Sequence, residues 1–258
     1  MPRVAHIFGV SLALLIVGCG KKPGSGKPVA AAAAAPPTET AAPAATASAG
    51  KITGKATFSG TPSAAEPIRM DADPYCKSHA QSTASDTMVV SAGGGLKNVL
   101  VYLKKGYQGK PIPPPSAEKP LLDQVDFRYV PHVKAVRLGQ ALSIRNSDGT
   151  LHNVHAVGTI NKEFNLGQPV KGMTADKTFT SPEVAVHFKC DVHPWMAAHV
   201  GVFEHPWFAV TGVDGSFTIS NVPAGTYTVE AWHEALPAQL TDVTVSGAET
   251  AANFTFQK

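Results

Sequence analysis

Residues 187–196 read HFKCDVHPWM, which places Cys190, His193 and Met196 at C-x-x-H-x-x-M spacing. The run leading into it, VAVHFK over 184–189, alternates and predicts a strand that ends at the cysteine. Upstream, 137–158 read RLGQALSIRNSDGTLHNVHAVG. That stretch predicts a strand from Ala141 to Asn146, a Ser-Asp-Gly turn, and a second strand that His152 begins. Further out, KITGKATFSG (51–60) and NVLVYLKKG (98–106) alternate and stop at glycine, and GSFTISNVPAGTYTVEAWHEA (215–235) gives two strands joined by a Pro-Ala-Gly turn. QLTDVTVSGAETAANFTFQ (239–257) closes the sequence as a hairpin-like pair. No long amphipathic helical pattern occurs, so the expected fold class is all-β, built of many short strands in sandwiches or barrels. Residues 61–97 carry loop signals, SGTPSAAEP and SAGGG, and are expected to hold little regular structure.

The 258 residues are 43% hydrophobic and 16% charged, enough for one large domain or two small ones. The net charge of +3 comes from 22 basic and 19 acidic residues, with no basic cluster set among aromatics, so no nucleic-acid partner is expected. Residues 1–19 combine Arg3, an apolar run from Ile7 to Val17 and small residues closing on Cys19, which is an export signal too short to span a bilayer comfortably. Its IVGC ending resembles a bacterial lipobox, which implies lipidation of Cys19; the alternative is an ordinary signal peptide with a chance cysteine. Residues 20–50 are rich in Ala and Pro without a buried-face pattern, and read as a disordered tether. Together these features predict a lipid-anchored protein on the periplasmic side of a bacterial membrane. With Cys19 assigned to lipid, Cys76 and Cys190 are left, and in an oxidising compartment a disulfide between them is an alternative to any metal role.

Two imidazole nitrogens, one thiolate and a weak axial thioether make the electron-transfer copper site. His152, Cys190, His193 and Met196 supply that set. A short loop wraps an ion on three sides only if its ligands lie two or three residues apart, and the remaining ligand must come from another strand. Each ligand has a plainer alternative: Cys190 as a buried hydrophobe or half-cystine, Met196 as core packing. His132, His155, His187 and His205 read as surface or structural histidines, and His199 as structural or as a competing ligand.

The segments DFRYVPHVKAVRLGQALSIRNSDGTLHNVHA (126–156) and VAVHFKCDVHPWM (184–196) resemble cupredoxins, the small blue copper proteins, in their amicyanin-like form. The resemblance covers 120–206. It implies one type 1 copper held by His152, Cys190, His193 and Met196, with Asn153 tying the two ligand loops together and Pro194 stiffening the turn. It also implies a Greek-key sandwich and a periplasmic or membrane redox protein as partner. Lys189 and Asp191 flank the thiolate where multicopper oxidases and nitrite reductases place a histidine leading to a second copper, so the chain is not expected to be an enzyme. In this reading the edge of His193 lies exposed in an apolar patch made with Pro194 and Trp195.

GKITGKATFSG, NVLVYLKKG and FAVTGVDGSFTISNVPAGTYTVEAWHEA (208–235) resemble carboxypeptidase regulatory-like repeats, transthyretin-like sandwiches grouped with carbohydrate-binding-like folds. That resemblance implies a second small β-sandwich over 51–106 and 207–258, into which the cupredoxin-like part is inserted or to which it is fused; one extended sandwich is the alternative. Two functions follow: a tethered carrier of single electrons, or a glycan- or protein-binding module with a structural or copper-storage metal site.

Overall fold

The structure, a computed structural model, describes residues 49–62, 67–71 and 73–258. The stretch expected to be an export signal, Cys19, and the expected tether up to residue 48 lie outside the described residues.

The elements in chain order begin with β1 (Gly50–Phe58), α1 (Pro74–His79) and β2 (Leu100–Lys105). Next come β3 (Leu121–Val125), β4 (Arg128–Val130), β5 (Val133–Arg137), β6 (Ala141–Asn146) and β7 (His152–Val157). They are followed by β8 (Phe164–Gln168), β9 (Thr174–Thr178), β10 (Glu183–Lys189) and β11 (Ala197–Phe203). The last six are β12 (Phe208–Val210), β13 (Ser216–Val222), β14 (Gly225–His233), β15 (Leu236–Val245), β16 (Glu249–Ala251) and β17 (Phe254–Phe256). The fold is all-β, and among the described residues the only α-helix is the six-residue α1.

Four sheets carry these strands. In one, β1 lies between β13 and β16 and also pairs with β17; in another the order is β12-β2-β14-β15. Their inner faces share one core that includes Ile52, Val101, Trp207, Phe217, Val229 and Phe256. The other two sheets run β5-β11-β10-β7-β8 and β4-β3-β6-β9. They close on a separate core of Leu122, Ile144, Val154, Phe188, Cys190 and Val200, among others. The chain thus leaves the first pair of sheets after β2, builds the second with β3 to β11, and returns with β12 to β17. A smaller cluster of Leu100, Tyr102, Val133 and Phe203 links the two cores. It forms because side chains along β2 alternate, sending Val101 and Leu103 to one core and Leu100 and Tyr102 to the link.

The segment expected to lack regular structure holds α1. Asp73 caps it, its carboxylate accepting the amides of Tyr75 (2.8 Å) and Cys76 (3.2 Å), and Pro74 stands in the first turn. Cys76 packs with Met70 and Phe127 in a small cluster of its own. Cys76 and Cys190 are both free, so the alternative disulfide is not formed.

Trp207 is 2% exposed, and its indole N–H donates to the Asn221 carbonyl at 2.8 Å. Trp207→Ala is expected to cost about 3–5 kcal/mol, read as a lowered urea midpoint. A loss below about 1 kcal/mol would contradict the packing described.

Candidate metal centre

The strand period decides which side chains meet. On β7, His152, Val154 and Ala156 are buried while Asn153 and His155 are half-buried on the other face. On β10, Val186 and Phe188 face the same core, and Cys190 follows in phase at the strand's end. β10 pairs with β7, Lys189 opposite His155, which sets Cys190 beside the start of β7. The loop from Cys190 to Met196 then closes on itself: the Cys190 amide donates to the Met196 carbonyl (3.3 Å), and the Met196 amide to the His193 carbonyl (2.9 Å).

That loop turns His193 inward. His193 Nδ1 lies 3.0 Å from His152 Nδ1 and 3.8 Å from Cys190 Sγ, and the donor atoms of all three residues lie within 4.8 Å of one another. Donors in a trigonal plane around an ion with bonds of about 2.05 Å to nitrogen and about 2.3 Å to sulfur stand roughly 3.5 Å (N to N) and 3.8 Å (N to S) apart. The three side chains fit such an ion with little adjustment. Met196 is 1% exposed and shares the Cys190 core.

The sulfur is prepared to carry charge. Burial alone would push its titration up, but His152, His193 and the amides of Asn153 and His193, each 3.4 Å from Sγ, outweigh it and bring the thiol down to about 5. Cys76 does the opposite: burial and the nearby Asp73 carboxylate push it up to about 12.

Both imidazoles direct their outer nitrogens at carboxylates. His152 Nε2 bonds Asp148 Oδ2 at 2.8 Å, and His193 Nε2 bonds Asp73 Oδ2 at 3.2 Å. Such partners orient a ligating ring, and would favour the Nε2-protonated tautomer when an ion takes Nδ1. Asp148 is held by the turn that Asn146 organises, since Asn146 Oδ1 accepts the Asp148 amide and Asn146 Nδ2 donates to the Thr150 carbonyl. It also receives the amides of Asp126 and Phe127, both at 2.9 Å. These two residues form the β3–β4 turn at φ of 55° and 58°, the left-handed conformation a two-residue hairpin requires. For Phe127 that conformation is strained, and it aims the amide at Asp148. Burial disfavours the Asp148 carboxylate, but His152 and these amides keep its titration below the ordinary range.

Asn153 connects the two ligand segments: its amide donates to Cys190 Sγ, and its Oδ1 accepts the Asp191 amide. Pro194 is exposed on the outside of the loop. His193 departs from the expectation of an exposed ring edge. It is 1% exposed, covered by Asp73, by Phe127 (ring centroids 6.1 Å apart) and by Trp195 (5.2 Å). His199 does not face the sulfur; its Nε2 lies 3.2 Å from Glu234 Oε2. Sequence reasoning did not single out Asp148 or Asp73. Asp148 had a signal, a turn residue four positions before His152, whereas Asp73 is separated from His193 by 120 residues of chain.

Residues 207–253 match the family model of polysaccharide lyase family 4, domain II. No curated protein matches the chain. Among solved structures, the chain is similar to an oxidized proline-to-alanine variant of amicyanin, at 26% identity over 34% of this chain and 84% of that one, with a TM-score of 0.30. It is also similar to a copper-containing nitrite reductase from Thermus scotoductus SA-01 (19% identity, 38% and 24% covered, TM-score 0.30) and to a purple cupredoxin from Nitrosopumilus maritimus (20%, 33% and 99%, 0.29).

In the metal-free protein the Cys190 thiolate should persist, by its far-ultraviolet absorbance, down to a midpoint of about 5 instead of the ordinary 9.0. Because the folded value is depressed, this group stabilises the fold most at alkaline pH, and its contribution falls away as pH drops toward about 5. A midpoint near 9 would contradict the hydrogen-bond set described.

Proposed function

We propose that the chain is a blue copper protein that carries single electrons, with one copper at His152, Cys190, His193 and axial Met196. The observation that carries this reading is the convergence of two Nδ1 atoms on a thiol brought down to about 5. Bound copper would supply one-electron chemistry by alternating between cupric and cuprous states. The protein's part is to hold the donors still, so that little rearrangement accompanies each change of state. Asn153, the two carboxylates and the closed 190–196 loop supply that rigidity. If Met196 joins the three, four donors would complete the coordination and leave no open position for Lewis-acid work, so the proposal includes no substrate turnover.

His193 is covered, but Asp73 on its outer nitrogen is 30% exposed, and this hydrogen bond offers a route from ring to solvent. The partner in this reading is a periplasmic or membrane redox protein, met by a chain held through lipidated Cys19 on the periplasmic side of a bacterial membrane. The cupredoxin-like part, 120–206, would sit on a second sandwich of 51–106 and 207–258. The covered His193 ring also favours a second reading, in which a closed site stores copper or stiffens a glycan- or protein-binding module.

Adding Cu(II) should give an intense visible thiolate-to-copper band, and Cys190→Ser should abolish it. Met196→Leu should keep both copper and colour while the reduction potential rises, because losing a sulfur donor destabilises the cupric form more. Colour surviving in Cys190→Ser would overturn the site. Colour in the wild type with no electron exchange toward small redox reagents would favour storage.

A further inference from the structure

A second convergence of donors lies outside the Cys190 pocket. His132 stands between β4 and β5, His199 on β11 and Glu234 in the turn between β14 and β15, and their ligand atoms lie within 4.8 Å of one another. Both imidazoles address the same carboxylate by their Nε2 atoms: His132 bonds Glu234 Oε1, and His199 Nε2 is 3.2 Å from Oε2. The backbone holds the two rings in this relation, since the His199 amide donates to the His132 carbonyl at 2.9 Å and β5 runs parallel beside β11. The surroundings are mostly closed. The side chains of His132, His199 and Glu234 are 8%, 14% and 14% exposed, His187 stacks on His199 at 5.2 Å, and Trp232 meets it edge-on at 5.2 Å.

We propose that His132, His199 and Glu234 form a second metal site, for a divalent cation of the zinc or copper(II) class. Two imidazoles and one carboxylate are the donor set such ions take when one coordination position stays open. Donors on a tetrahedral ion with bonds of about 2.05 Å stand roughly 3.3 Å apart, and the His199–Glu234 separation already fits. Binding requires each ring to turn its Nε2 lone pair to the ion, the displaced proton moving to Nδ1 or to solvent. His199 Nδ1 has no hydrogen-bond partner and is free to take it. His132 also lines a cavity of about 230 Å³, together with Arg128, Trp195 and Met196, so one of the three donor residues borders open space. The site uses none of the Cys190 donors, and stands whether or not that pocket holds copper.

The test is zinc binding to the full chain carrying Cys190→Ala, which disables the first pocket, measured by calorimetry and by metal content after dialysis. One tightly held zinc is expected, with the Nε2 nitrogen resonances of His132 and His199 shifting together as zinc is added. Adding Glu234→Gln or His132→Gln should each weaken that zinc tenfold or more, roughly the effect of losing a ligand. Glu234→Gln is close in shape, and circular dichroism confirms the fold. If a variant unfolds, the histidine resonances of the parent protein decide alone. Zinc that binds without moving those resonances, zinc held equally by the folded Glu234→Gln protein, or no tight zinc at all would each overturn the site.

Discussion

A buried negative sulfur dictates most of what surrounds it. Cys190 is 2% exposed, and a thiolate there is tolerated only because two imidazoles and two backbone amides point at it. Each imidazole must in turn keep one nitrogen toward the sulfur, which is why each has a carboxylate on its far side. Those carboxylates come from unrelated places, Asp148 from the turn before β7 and Asp73 from the cap of α1. The strained Asp126–Phe127 turn belongs to the same arrangement, because it delivers two amides to Asp148.

The sheets make this arrangement rigid. Three donor residues approach from adjacent β7, β10 and the loop into β11, whose pairing leaves each backbone little freedom. The core assembled from strands at both ends of the described chain reaches the Cys190 core through the Leu100, Tyr102, Val133 and Phe203 cluster. Glu234 sits at that junction, carried by the β14–β15 turn to histidines on the other pair of sheets.

The all-β class was legible in the period-2 alternation, and the grouping of His152, Cys190 and His193 in the C-x-x-H-x-x-M spacing, the donor types and the resemblance to cupredoxins that they carry. What stayed hidden depended on contacts between distant segments. Residues 61–97 contain few apolar periodic positions, and the Asp73-Pro74 start of α1 was the sole local sign of a helix there; its cover over His193 is a long-range contact, so the exposed ring edge implied by the cupredoxin resemblance did not anticipate it. Asp126-Phe127 lacks the glycine or asparagine that marks a two-residue hairpin, and only the hydrogen bonds to Asp148 explain its backbone. The His132, His199 and Glu234 cluster was illegible for the same reason: its carboxylate lies more than 30 residues from either histidine, as the 35-residue His199–Glu234 separation shows.

X-ray absorption at the copper edge of the loaded full chain tests the central claim, that a thiolate and two imidazoles bind copper together, most directly. The account predicts two nitrogen neighbours near about 2.0 Å and one sulfur near about 2.3 Å in the first shell. A first shell of nitrogen and oxygen alone, with no sulfur, would contradict it.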